Sequence, residues 1–348
     1  MPNNKISIYS KTLNQLEKDF LNFGLKKFNA KQVFNWIYKN DSINFDDMSN
    51  IAKSSIEIIK SHYEINTLKT LTTKIDPIDE TTKFLFELHD GNSIETVLMK
   101  FNYGYSICIS TQVGCNMGCE FCASGLLKKK RNLSVDEIVL QYVVVNNFVV
   151  KEKNERIGNI VIMGIGEPLD NFENLIDAIN ILTCHDGLAI GSRHITVSTC
   201  GLANKIVEFG KLLPQVNLAI SLHASDNETR NKLMPINKVY PIEQLIKSLK
   251  EYSKYSNRRL SFEYILFDKI NDSTENALAL ADILEGLICY VNIILYNSVI
   301  EKQYKRSSRA KEFCEILNAR GITSTIRLER GKNIDAACGQ LRVKHEKK

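Results

Sequence analysis

Ser106-Ile-Cys-Ile-Ser110 runs through Thr111-Gln-Val-Gly114 into Cys115-Asn-Met-Gly-Cys119-Glu-Phe-Cys122. The first five residues have β-strand character, and the three thiols that follow, spaced four and three residues apart, share one glycine-containing turn. Thiols so placed converge on one metal centre. A [4Fe–4S] cluster closed by protein takes four thiolates. Three leave one iron open to a ligand that is not protein, as is needed when a small molecule is to be bound and reduced there. The competing reading is structural zinc, for which C-x-x-C is a half-site. Zinc needs a fourth ligand, and His185 and His194 stand far from finger spacing. A disulfide does not suit a chain whose start, Met1-Pro-Asn-Asn-Lys5, lacks an apolar secretory core.

Working outward, 348 residues suggest one large domain, or a large and a small one, with a substantial core. Apolar content of 44% and charge of 24% are those of an ordinary soluble globular chain. No apolar run reaches the ~18 residues of a membrane span, so no membrane association is expected and the expected compartment is the cytoplasm. Nine cysteines there read as reduced thiols and ligands. A net charge of +5 permits nucleic acid without arguing for it. Lys128-Lys-Lys-Arg131 is a plausible phosphate contact or a solvated turn, and Lys344-His-Glu-Lys-Lys348 reads as a loose tail.

Residues 11–62 read as short amphipathic helices: Leu13, Leu16 and Phe20 form one apolar face, Val33, Phe34 and Ile37 a second, Ile51, Ile56 and Ile59 a third. Two β-prone runs then flank Asp90-Gly91, a strong hairpin signal. The expected division is therefore a helical accessory domain over 1–90 and a second domain over 91–348. Glu95, on the second hairpin strand, reads equally as a solvent-facing carboxylate or an active-site base. Beyond residue 104, strands are expected at 106–110, 159–163, 194–198, 217–221, 259–265, 290–295 and 323–327, alternating with helices. One of these helices opens with a Ser134/Glu137 capping box and buries Ile138, Tyr142 and Val145. This is an α/β pattern with a parallel sheet, either barrel-like or doubly wound, and both gather chemistry at the C-terminal ends of strands. At those ends stand the cysteine loop, Gly164-Ile-Gly166-Glu167-Pro168, Ser198-Thr-Cys-Gly201, Ser221-Leu222-His223 and Tyr296-Asn297.

C-x-x-x-C-x-x-C after a first such strand, with a Gly-Glu turn after the second, resembles the radical S-adenosylmethionine (radical SAM) superfamily. Cys108-Ile-Ser-Thr-Gln-Val-Gly-Cys115, Met163-Gly-Ile-Gly-Glu-Pro168, Lys232-Leu-Met-Pro-Ile-Asn237 and Ile334-Asp-Ala-Ala-Cys338-Gly-Gln-Leu341 resemble its RlmN/Cfr branch of RNA methyltransferases. The resemblance extends to the N-terminal Lys31-Gln-Val-Phe-Asn-Trp-Ile37. It implies a partial (β/α)6 TIM-like barrel with a small helical N-terminal domain, holding a [4Fe–4S] cluster on Cys115, Cys119 and Cys122. It also implies that Cys338 carries a methyl group taken from one SAM. A second SAM, cleaved at the open iron, yields a radical that removes hydrogen from that methyl; the carbon radical adds to adenine. By resemblance Glu95 accepts the ring proton, and Cys108 releases the product by a disulfide with Cys338, which reductants reopen. Gly166, Glu167, Ser198, Ser221, Leu222, His223 and Asn297 match SAM-contacting positions, Glu167 holding the ammonium and Ser198 and Asn297 other polar groups. Cys184, Cys200, Cys289 and Cys314 gain no role.

RlmN-type members methylate C2 of an adenosine in the peptidyl-transferase centre of 23S rRNA and of the adenosine 3′ to the tRNA anticodon. Cfr-type members methylate C8 of the same rRNA adenosine and confer antibiotic resistance. Ile94-Glu-Thr-Val-Leu-Met-Lys100 and Arg258-Arg-Leu-Ser-Phe-Glu-Tyr264 look RlmN-like. The implied partners are 23S rRNA, tRNA and an electron donor such as flavodoxin or ferredoxin, with the protein itself a monomer. A reading of another class, a cluster- or zinc-containing RNA-binding or electron-transfer protein, would need the three cysteines but not Glu95, Cys108 or Cys338.

Overall fold

The computed structural model describes residues 5–299 and 301–341; the basic run 344–348 lies outside the described residues. The three apolar helical faces form α1 (Leu13–Asn22), α2 (Lys27–Lys39) and α3 (Lys53–His62). Their buried residues, including Leu16, Phe20, Val33, Phe34, Ile37, Ile56 and Ile59, join the same continuous core as the rest of the chain. The short strands Ile6–Ser7 and Tyr63–Glu64 pair in parallel and bring the ends of this helical module together. Gln15 donates to Asp177 at 2.9 Å, and Lys31 pairs with Asp186 at 2.9 Å, which seat the module on the outside of the main sheet.

That sheet has ten strands, and their order in space is their order in the chain: β1 (Lys69–Ile75), β2 (Thr82–Glu87), β3 (Ser93–Phe101), β4 (Gly104–Cys108), β5 (Ile157–Ile162), β6 (Ile195–Thr199), β7 (Asn217–Ser221), β8 (Leu260–Leu266), β9 (Cys289–Leu295) and β10 (Ser324–Ile326). From β1 to β4 the pairings are antiparallel. From β4 to β10 every pairing is parallel, so each connection must cross over. The crossovers are α4 (Val135–Lys153), α5 (Phe172–Thr183), α6 (Ala203–Leu212), α7 (Asn227–Leu233) with α8 (Ile242–Tyr252), α9 (Thr274–Leu284) and α10 (Ala310–Ala319). This is the expected partial (β/α)6 barrel. Among the described residues its edges, β1 and β10, do not pair with each other.

The alternation of residues assigns the two faces. In β2, Thr82, Phe84 and Phe86 are buried and Phe84 meets Phe148 of α4 edge-on at 5.4 Å, which leaves Lys83 and Leu85 for the barrel interior. Central β8 is buried at every position because helices cover it outside and site residues inside. The 90/91 divide expected from sequence falls at the turn between β2 and β3, within one sheet; the helical module ends at the Tyr63–Glu64 strand. Among the described residues, no helix is long and apolar enough to cross a membrane.

Candidate active site

The cysteine loop leaves β4 through a neck in which Gln112–Val113 pairs antiparallel with Arg131–Asn132. Gly114, at φ +76°, stands where a Cβ would lie 2.4 Å from the Lys128 carbonyl oxygen, so only glycine lets the limbs approach. The Cys115 N–H donates to the Leu127 carbonyl at 3.0 Å and the Cys122 N–H to the Cys119 carbonyl at 3.2 Å. With the backbone thus fixed, all three thiols line a cavity of about 170 Å³ that Gly166, Glu167, Ser198, Ser221 and His223 also line.

Each of those residues is delivered by the end of a parallel strand. Gly166 (φ +108°) leaves no room for a Cβ, which would sit 2.6 Å from the Gln112 Cβ. The buried Glu167 carboxylate accepts from the Leu169 N–H at 3.0 Å and the Cys200 N–H at 2.8 Å. Burial pushes its pKa up, and these hydrogen bonds pull it down. His223 accepts the Ile265 N–H on Nδ1 at 3.1 Å, so its hydrogen resides on Nε2. Burial, then the Arg230 charge, pushes its pKa down to about 3. Arg230, fully buried, donates to the carbonyls of Leu222 (3.1 Å), Cys200 (2.7 Å) and Ser221 (3.2 Å) and to Asn237 Oδ1 (2.9 Å). It thereby ties together the ends of β6 and β7, and it gives Asn237 of the Lys232–Asn237 motif a physical reason.

Cys108 ends β4 and borders a second cavity with Cys338, Met163 and Arg327; the cluster-loop residue Cys122 borders it too. Burial pushes the Cys108 thiol up to about 12, with Cys338 adding and Arg327 opposing. Arg327 donates to Glu263 at 3.2 Å, and Glu263 accepts from Ser261 at 2.8 Å and Asn292 at 2.9 Å. The segment carrying Cys338 crosses the open side of the barrel. Asp79 accepts the Gly331 N–H at 2.8 Å and Asp76 the Asn333 N–H at 3.1 Å. Farther on, the Ala123 N–H donates to the Gly339 carbonyl at 2.7 Å and Ser124 to that of Leu341 at 2.7 Å.

Three of the expected residues stand apart from the cavity walls. Leu222 is fully buried, and its contribution is its backbone, with the N–H on the Glu263 carbonyl at 3.1 Å. Asn297 reaches the Cys338 carbonyl at 3.4 Å. Glu95 lies on β3 and pairs with Lys83 at 3.1 Å. Sequence reasoning missed Lys83, Arg230, Glu263 and Arg327, and it gave no role to Cys200, which lines the first cavity. The available signal was a charge inside a strand, as with Glu263 in Leu260–Leu266. In the basic run, Arg131 is committed to Glu137 and Asp90, and Lys129 pairs with Asp170. Lys128 and Lys130 are exposed.

The donor set fits an iron–sulfur cluster. Burial raises Cys115 to about 11 and Cys119 well above its ordinary range, with Cys122 adding to both. Thiols that crowd one another in this way need a cationic centre to be thiolates. Among the described residues no three Cys, His, Asp or Glu side chains converge as the ligands of a single ion would. A four-iron core instead takes each thiolate at a separate iron. The carboxylate, hydroxyls and imidazole N–H fit the polar groups of an amino acid joined to a nucleoside.

Residues 109–281 match the family model of the radical SAM superfamily, and residues 6–65 that of the ribosomal RNA large subunit methyltransferase N-terminal domain. The chain is 52% identical over 338 residues to the "Probable dual-specificity RNA methyltransferase RlmN" of Malacoplasma penetrans, covering 97% of this chain and 96% of that one. It is 51% identical to the protein of the same description from Spiroplasma citri, over 98% of both chains. The crystal structure of a radical SAM methyltransferase from Sphaerobacter thermophilus superposes with a TM-score of 0.91 at 39% identity, covering 97% of this chain and 99% of that one. Two domain models in chain order, half the sequence shared and a fold matched nearly end to end leave one conclusion: this chain belongs to the RlmN family of radical SAM RNA methyltransferases, whose cofactors are a [4Fe–4S] cluster and S-adenosylmethionine.

Proposed function

We propose that the protein methylates C2 of an adenosine in the peptidyl-transferase centre of 23S rRNA and of the adenosine 3′ to the tRNA anticodon. Cys338 is the methyl carrier and Cys108 its resolving thiol. The observation that carries this reading is that Cys108 and Cys338, far apart in sequence, border one cavity together with the cluster-loop residue Cys122. The description of the relatives as dual-specificity RNA methyltransferases supports a reading with more than one RNA target.

When bound at Cys115, Cys119 and Cys122, the cluster and SAM supply the methyl group and the hydrogen-abstracting radical that an electron-poor ring carbon requires. The chain's own residues do the rest. Glu167, Ser198, Ser221 and His223 bind and orient SAM, with Gly166 giving backbone access and Leu222 and Asn297 fixing the surrounding main chain. Glu95 accepts the proton of the ring carbon. The Cys108 thiolate attacks the Cys338 sulfur: the carbon–sulfur bond breaks, the sulfur–sulfur bond forms, and the carbon released on the base takes a proton to become methyl. Arg327, beside both thiols, favours the attacking thiolate. A two-electron reductant then reopens the disulfide. Lys128 and Lys130 supply exposed charge for RNA phosphates. This assignment also has the protein cytoplasmic and monomeric, served by a donor of the flavodoxin or ferredoxin kind.

The test incubates cluster-loaded protein with SAM, reductant and unmodified 23S rRNA fragment or tRNA, and identifies the methyladenosine by mass spectrometry. The expected product on both RNAs is 2-methyladenosine, absent with Cys338→Ala. 8-Methyladenosine would reassign the carbon to the Cfr type and leave the carrier role intact. Product formed by the Cys338→Ala variant would sink that role.

A further inference from the structure

Lys83 and Glu95 form an ion pair of 3.1 Å in which only 11% of the lysine side chain and 7% of the glutamate are exposed. The two come from adjacent antiparallel strands: Lys83 is the register partner of Val97, two residues from Glu95 and on the same face. That face looks into the barrel, since Val97 and Met99 line the Cys108–Cys338 cavity. The Lys83 ammonium also donates to the carbonyl of Asp335 at 3.0 Å, three residues before Cys338. The backbone of Glu95 is held as well, its carbonyl accepting from Ser110 Oγ at 2.7 Å, and Ser110 Oγ accepts the Ile165 N–H at 2.9 Å.

A lysine whose side chain is only 11% exposed, on a barrel-facing strand position, holds its ammonium largely out of solvent, which favours partners of opposite charge or polarity around it. Two partners account for it. One is a carboxylate that must remain ionised inside the protein, and the other is the main chain that carries the reactive sulfur. We propose that Lys83 is a positioning residue for the methyl transfer, keeping Glu95 charged and fixing it relative to the Cys338 segment. The inference rests on the reading of Glu95 as proton acceptor. Once Cys338 is joined to the ring through its methylene carbon, that ring carbon still bears its hydrogen. Its proton passes to a Glu95 oxygen while the electron pair of the C–H bond stays in the ring, and the unpaired electron left there by the radical addition goes to a one-electron acceptor, a role the oxidised iron–sulfur cluster would fill. Lys83 stabilises the carboxylate before the transfer, and its bond to Asp335 keeps the acceptor in register with the sulfur's own segment.

The test uses the full-length, cluster-loaded protein with SAM, reductant and tRNA, and compares Lys83→Met, Lys83→Arg and Glu95→Gln. Three quantities are read: methylation of Cys338 by intact mass, the covalent RNA–protein adduct on denaturing gels, and released methyladenosine. Glu95→Gln is expected to lower release on the order of 10²-fold and to accumulate adduct. Lys83→Met is expected to keep Cys338 methylated, which reports that it folds and loads, while adduct accumulates and release falls about tenfold or more. Lys83→Arg, which preserves the charge, restores release. If Glu95→Gln accumulates adduct but Lys83→Met releases product at the parental rate, Lys83 has no such role and the Glu95 reading stands. If Glu95→Gln itself releases product normally, both fall. A Lys83→Met defect that Lys83→Arg does not relieve would also overturn the inference.

Discussion

His223 shows how much one side chain's surroundings decide. It has a left-handed backbone (φ 57°), an Nδ1 that accepts a main-chain N–H, and the Phe121 ring nearly perpendicular to its own with centroids 4.9 Å apart. Its pKa, pushed down to about 3 from an ordinary 6.5, means that the fold holds the neutral ring. Between those values the unfolded chain binds one more proton than the folded one. The stability contributed by the neutral ring is therefore complete above pH 6.5 and is lost as pH falls toward 3, by about 1.4 kcal/mol per pH unit. Urea unfolding between pH 7 and 4.5 should show a shallower acid decline in His223→Gln than in the parent, even though the variant starts less stable. Parallel declines would mean that the imidazole is not the group responsible. The same neutral ring makes His223 a hydrogen-bond donor through Nε2.

Among elements, the strand ends matter more than the strands. β6 and β7 owe their mutual placement at the rim to Arg230, whose guanidinium serves three carbonyls and one side-chain amide. Replacing it by Met leaves those buried acceptors without donors, a loss of about 3 kcal/mol or more. Thermal unfolding should register that loss, with iron retention in the reconstituted protein falling alongside it; an unchanged unfolding temperature would contradict the role. The elements themselves were largely legible. Apolar runs such as Ile160-Val-Ile162 and Leu218-Ala-Ile220 are what parallel strands covered on both faces require, and the three-thiol spacing marks the loop between β4 and α4. Two things were not legible. β1 is exposed at every residue, so its polar run reads as surface, although it pairs with β2 as the sheet's edge, where Lys69 and Lys74 discourage further pairing. Lone charges such as Lys83, Arg230 and Arg327 acquire meaning only from segments far away in the chain, and periodicity carries no information about those contacts.

At the scale of the whole molecule, the sheet does not close on itself among the described residues, and the segment bearing Cys338 spans the opening. It is fastened to the β1–β2 turn by Asp76 and Asp79 and to the cysteine loop through Ala123 and Ser124. Asp76→Ala with Asp79→Ala should release the near end while the barrel core stays intact. Trypsin should then cut at Arg330 or Lys332 several-fold faster, with the urea midpoint nearly unchanged; equal cleavage rates would show that these two carboxylates do not fasten the segment. The Ser124–Leu341 contact joins residues 217 positions apart. On a ribosome adding ~5–20 residues per second, the cysteine loop is made roughly 10–45 s before the segment that covers it. During that interval the site faces the surrounding solution, so iron and sulfide have a wide entrance during synthesis that the finished protein narrows.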